Sequence, residues 1–140
     1  MRLLIATPTT IVVDEPEVSA VRAEDESGSF GILEGHDGLL TVLTVSVVSW
    51  HRADAPRQYC AVRRGILSIS GGREVAIATR EAIVGDDLDR LEQVVLAEFR
   101  HKTDNERAAR AAGLQLQMKA IRQIVRYLRP ERRGAEERSP

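Results

Sequence analysis

Between residues 3 and 84 the apolar positions fall in short runs rich in Val, Ile and Thr, separated by clusters of Gly, Pro, Asp and Ser. That rhythm belongs to short strands joined by tight turns. It predicts strands over 3–6, 10–13, 18–24, 30–33, 40–50, 58–63, 66–70, 74–79 and 82–84. Ser70-Gly71-Gly72 reads as a hairpin connection, because glycine adopts positive φ without a Cβ clash. Arg64-Gly65 is expected to make another tight reversal, and Asp54-Ala55-Pro56 to cap a further hairpin. Many short strands with regular turn signals point to a sandwich or barrel.

After Gly85 the period changes. Asp86 or Asp87 is the candidate N-cap, and the acidic cluster Asp86, Asp87 and Asp89 suits the positive end of a helix dipole. Leu88, Leu91, Val95 and Phe99 follow at helical spacing. The polar stretch 101–105 reads as a turn, with Asp104 or Asn105 capping a second helix. That helix carries an apolar stripe of Leu114, Met118, Ile121, Val125 and Leu128, the seam expected to face a partner helix. Arg129-Pro130 is expected to end it. The predicted fold is an all-β sandwich over 1–85 followed by an antiparallel two-helix hairpin over 86–129. Residues 130–140 form a charged tail expected to be disordered.

Composition narrows the class. The 140 residues are 43% hydrophobic and 29% charged, the balance of a globular chain rather than a disordered one. A single cysteine, Cys60, leaves no disulfide framework and no Cys-rich zinc module. The apolar runs fall short of a membrane span, and Met1 to Ala6 lack a signal peptide's apolar core, so a soluble protein of a reducing compartment is expected.

The net charge of −1 conceals an asymmetry: residues 1–85 carry −3 and residues 86–140 carry +2. Within 107–130 there are 6 basic side chains and no acidic one. Lys119, Arg122, Arg126 and Arg129 recur at helical spacing as a ridge beside the apolar stripe, with no acidic residue at i±4 to pair with. A solvated face is the bland reading. The missing internal partners favour an external acidic one, because arginine suits bidentate contact with carboxylates or phosphates.

Catalytic chemistry is hard to assemble. His36, His51 and His101 share no metal-ligand spacing, so no metal site is expected. Cys60 sits in a predicted strand as a small hydrophobe rather than a nucleophile. The Asp86–Asp89 run lacks the glycine and distal Glu of a calcium loop, and no lysine-bearing helix start follows the glycines at 28–31. No catalytic residue and no cofactor are expected. Two readings stand on the residues alone: a subunit that docks an acidic protein partner, and a basic-helix adaptor or nucleic-acid-binding module. Near-neutral charge, 4% aromatic content and the lack of a recognition motif count against nucleic acid. A small β-sandwich enzyme ranks last, for want of a nucleophile–base pair.

The stretch Gly28-Ser29-Phe30-Gly31-Ile32-Leu33-Glu34-Gly35-His36-Asp37-Gly38-Leu39-Leu40 resembles the G-x-[FL]-G-I-x-x-G-H-x-P-L-L signature of the epsilon subunit of F-type ATP synthases. Thr7-Pro8 with Val12 and Val13, Arg64-Gly65-Ile66-Leu67, and Gly85-Asp86-Asp87-Leu88-Asp89 are similar to other landmarks of that family, in the same order. The resemblance implies a non-catalytic rotor subunit of the central stalk. Its sandwich would bind the gamma subunit and rest on the c-subunit ring through Ser29, Phe30, Glu34, His36 and Asp37. Its helical hairpin would extend toward the beta (and alpha) subunits and inhibit ATP hydrolysis through Lys119, Arg122, Arg126 and Arg129. The same resemblance places the chain on the cytoplasmic face of a bacterial inner membrane, touching the membrane only through the complex.

Three departures bear on these expectations. Gly38 stands where the signature has proline, and Val45-Ser46 where many relatives carry Pro-Gly. In Leu88-Asp89-Arg90-Leu91-Glu92-Gln93, Glu92 occupies the arginine position of the [IL]-D-x-x-R-A motif through which some relatives bind ATP. A carboxylate there repels phosphate, so no tight ATP binding is expected unless Arg90 substitutes.

Overall fold

In the computed structural model the backbone is described for residues 1–137 and side chains for residues 1–128. Eight strands form in chain order: β1 Arg2–Ala6, β2 Ile11–Glu15, β3 Ala20–Asp25, β4 Gly28–Leu33, β5 Leu39–His51, β6 Gln58–Ser70, β7 Glu74–Thr79 and β8 Ala82–Gly85. They hydrogen-bond in the order β2-β1-β7-β6-β5-β3-β4, with β8 also paired to β6. Leu3 and Ile5 of β1 nevertheless share one buried cluster with Val21 of β3 and Ile32 of β4, from the far end of that order. The sheet therefore folds over on itself into the two layers of a β-sandwich, with Trp50, Leu43, Leu67 and Ile77 in the shared core.

The fold-over is made by the two 13-residue strands β5 and β6. In the first half of β6 the side chains in the sandwich core are Cys60 and Val62; in its second half they are Leu67 and Ile69. An even-numbered set has become an odd-numbered one, which a strand of period two achieves only through an irregularity between them. That irregularity is Arg64-Gly65, both at positive φ (59° and 155°). A Cβ at Gly65 would overlap the Ala78 carbonyl oxygen, so only glycine fits. The expected reversal at Arg64-Gly65 is thus a kink inside one strand. Upstream of it β6 pairs with β8, and downstream with β7. The other turns form as expected: Gly71 and Gly72 both take positive φ between Ser70 and Arg73, and Asp54 (φ 62°) turns the chain between β5 and β6.

Asp87 caps the helical segment, its carboxylate accepting the Arg90 amide at 3.3 Å. Helix α1 (Leu88–Arg90) runs into a π-helical turn, Leu91–Val95, and on into α2 (Leu96–Glu137). The π turn, closed by the Leu96 amide on the Leu91 carbonyl, brings Leu96 onto the same side as Leu91, Val95 and Phe99. All four are buried against Ala61, with Val45, Val47 and Tyr59 at the margin. At about 1.5–3 kcal/mol per large apolar side chain, this cluster ties the helix start to the sandwich. The chain divides into one compact unit ending at His101 and a second from Lys102 onward.

The order of sandwich then C-terminal helical segment is the one expected, but the hairpin's reversal is replaced by helix. Residues 101–105 are helical within α2, and so is the backbone through Pro130. His101, Lys102, Asp104 and Asn105 are polar without being helix-breaking, and no Gly or Pro stands among them to force a turn. Pro130 removes one backbone donor without ending the run. Of the expected disordered tail, 130–137 continue the helix and 138–140 lie outside the described residues.

Candidate functional site

Three surfaces carry the side chains that could meet a partner. The first is the sandwich end built by the β4–β5 connection. Glu34, His36 and Asp37 lie in it, together with Gly35 and Gly38. The His36 amide donates to the Leu33 carbonyl at 3.1 Å, and His36 Nδ1 lies 2.7 Å from the Asp37 carbonyl oxygen, which can only accept. The connection rests on the β6–β7 hairpin, where the Gly35 amide donates to the Gly72 carbonyl at 2.7 Å. Glu34 Oε1 stands 3.8 Å from Arg73 Nε, with both side chains largely exposed.

Ser29 and Phe30 do not join this end. Both lie in β4, opposite Glu24 and Ala23, and Ser29 is about 17 Å along the strand from Glu34. Phe30 is half-buried and packs against the core, while Ser29 lines a cleft of about 560 Å³ beside the helix start. Arg22, Arg57 and Arg100 line the same cleft, as does Glu92, the carboxylate in the arginine position of the ATP motif. Near Ser29, Asp25 accepts from the Ser27 amide and hydroxyl and from Thr41 Oγ1 at 2.8 Å. Those hydrogen bonds hold its carboxyl below the ordinary carboxylate range, Ser27 contributing most.

The second surface is a sheet face assembled from separate stretches of the chain. Strand registers place Ile11, Ala6, Ala78, Ile66 and Val42 side by side across five strands. The next outward-facing row is Leu4, Ala76, Ser68 and Leu40. Ile11, Leu40, Val42 and Ile66 are all more than half exposed. The alanines and Ser68 between them keep this face flat, so a partner backbone can approach closely. The signal lies in Leu40 and Val42 of β5 and Ile66 of β6, outward positions that are apolar where a solvated sheet would be polar.

The third surface is α2 beyond Lys102. Leu114, Met118, Ile121, Val125 and Leu128, the expected seam, are exposed, and so are Leu116, Ile124 and Tyr127. At about 100° per residue these side chains span an arc of roughly 200°, wider than one seam. Lys119, Arg122 and Arg126 occupy the remaining face and are exposed. The Arg129 side chain lies outside the described residues.

Among the described residues no group of His, Cys, Asp and Glu is placed to hold a metal ion. Cys60 is buried, and desolvation pushes its thiol up to about 12, which keeps it unreactive. No described helix is long and apolar enough to cross a membrane.

A β-sandwich with outward apolar rows, followed by a C-terminal helix with exposed apolar side chains, presents surfaces suited to docking another protein. The ATP synthase delta/epsilon chain β-sandwich domain matches residues 1–85. The chain is 44% identical over 135 residues to "ATP synthase epsilon chain 2" of Paraburkholderia xenovorans, covering 96% of this chain and 97% of that one. It is 40% identical over 128 residues to "ATP synthase epsilon chain 2" of Cereibacter sphaeroides, covering 91% and 88%. A chain in the Euglena gracilis mitochondrial ATP synthase, OSCP/F1/c-ring structure shares the fold, with a TM-score of 0.57 at 18% identity, covering 76% of this chain and 62% of that chain. This chain belongs to the epsilon-chain family of ATP synthases, which are non-catalytic subunits.

Proposed function

We propose that this subunit couples rotation to ATP synthesis by holding the gamma subunit on its flat apolar face while its Glu34–Asp37 end rests on the c-subunit ring. The observation that carries this reading is the outward row Ile11–Ala6–Ala78–Ile66–Val42, since contiguous exposed apolar surface on a small domain marks a protein interface. The sandwich end supplies polar side chains on a connection anchored to the neighbouring hairpin, as a surface facing the polar loops of a membrane ring requires. The complex so formed lies on the cytoplasmic face of the membrane, which this chain reaches only through its partners.

The C-terminal helix adds regulation. Its wide apolar arc suits insertion between two apolar walls, and its basic ridge suits an acidic segment of the beta (and alpha) subunits. Docked there, the helix blocks rotation in the hydrolysis direction. Retention on purified gamma subunit, compared between the native chain and a Val42→Asp/Ile66→Asp variant, tests the reading: the native chain binds and the variant does not.

A further inference from the structure

From residue 107 to residue 128 helix α2 is exposed on every side. Over 114–128, about 22 Å of helix, its large apolar side chains are the expected seam together with Leu116, Ile124 and Tyr127. At about 100° per residue the arc they cover is centred almost diametrically opposite Lys119, Arg122 and Arg126. Gln117 is the one polar side chain inside that arc, and no acidic residue occurs anywhere in 107–130.

The width of the arc decides what can cover it. A single partner helix, a second copy of this one included, covers a stripe of about 100°. It would leave either the seam or Leu116 and Tyr127 in water. A planar bilayer surface covers roughly half the circumference at once, which is the width found here, and leaves the opposite face at the headgroups. The stems of Lys119, Arg122 and Arg126 are long enough to bring their charges to the headgroup phosphates. With no carboxylate among them, they complement an anionic lipid surface. No described helix is long and apolar enough to cross a membrane, so the geometry is that of a helix lying on one.

We infer that residues 114–128, when no protein partner holds them, lie in the plane of an anionic bilayer surface. The apolar arc then sits at the boundary of the acyl chains, with Lys119, Arg122 and Arg126 among the headgroups. The inference goes beyond the inhibitory reading of this helix and does not rest on it. Bilayer and catalytic subunits compete for one apolar arc, so a helix on the membrane is withheld from inhibition.

The test is cosedimentation of the full chain with vesicles of phosphatidylcholine alone, and of equal parts phosphatidylcholine and phosphatidylglycerol. Retention on the anionic vesicles is expected to be stronger by about tenfold or more. It should be lost in Ile121→Asp/Val125→Asp, whose sandwich still melts like that of the native chain. No retention of the native chain on anionic vesicles overturns the inference. Equal retention of the folded variant also overturns it, because charge alone then accounts for binding. A dimer seen by light scattering that ignores vesicles assigns the arc to a second copy. Capture by an immobilised acidic peptide, with none by vesicles, assigns the ridge to a protein; either result overturns the bilayer. Depth is read with Ile124→Trp and Gln115→Trp, against the constant background of the buried Trp50. Brominated acyl chains should quench the tryptophan at 124 and spare that at 115. Equal quenching of both, or of neither, contradicts burial in the plane.

Discussion

The buried hydroxyl of Thr79 donates to the carbonyl oxygen of Arg64, and so occupies a backbone acceptor that the kink in β6 withdraws from the ladder. The same hydroxyl stands 3.1 Å from the Glu81 carbonyl, while the Arg63 amide donates to that carbonyl at 3.0 Å. These bonds fix the corner at which one strand passes between layers. Replacing Gly65 with alanine forces a Cβ into the Ala78 carbonyl and strains a positive φ. A loss of roughly 2–4 kcal/mol is expected, read as a fall in the denaturation midpoint at unchanged m-value. Gly71→Ala, at a turn with open space around it, should cost less.

That corner also shows what the sequence can and cannot tell. Alternation within 58–63 and within 66–70 is plain, so both strand halves are legible. The change of parity across Arg64-Gly65 is legible too, but a glycine between two apolar runs is equally the mark of a hairpin. Only the pairing of β5 along the whole of β6 decides between them. The helical stripe Leu91, Val95 and Phe99 could be read by spacing, whereas Leu96 could not, because it enters through a π turn. The family resemblance groups Ser29 and Phe30 with Glu34, whereas in the structure Ser29 and Phe30 lie within β4 and Glu34 lies beyond its end. The apolar face is assembled from five strands, and no local window contains it.

Asp25 gives a pH prediction. Its carboxyl is held below the ordinary range by Ser27 and Thr41, so the folded value lies under the unfolded one. The stabilisation is therefore complete above the unfolded value and is lost as pH falls through the folded one. Thermal melts of the native chain and Asp25→Asn should differ at neutral pH and converge in acid. A gap that persists unchanged into strong acid contradicts the assignment.

Truncation after Asn105 removes the apolar arc and the basic ridge but leaves Leu91, Val95, Leu96 and Phe99 to close the sandwich. ATP hydrolysis by the complex should rise while gamma binding is unchanged. Arg122→Glu/Arg126→Glu should release hydrolysis in the same direction, without altering the melting of the sandwich. Inhibition unaltered in that double variant means that the ridge is only solvated.

Glu92 lines the cleft beside Arg22, Arg57 and Arg100, and a carboxylate there opposes a triphosphate. Calorimetric titration with ATP should give no saturable binding to the native chain. Glu92→Arg should create measurable affinity. Tight binding by the native chain contradicts the argument from charge.

On the proposed reading the face around Val42 and Ile66, two residues paired across β5 and β6 and 55% and 51% exposed, holds the gamma subunit. Size-exclusion chromatography of this chain mixed with gamma from the same source tests it most directly, at low and high salt. A one-to-one complex that survives high salt, and that Val42→Asp/Ile66→Asp abolishes while the variant still melts cooperatively, is the predicted result. No complex with the native chain, or equal retention of the folded variant, contradicts it.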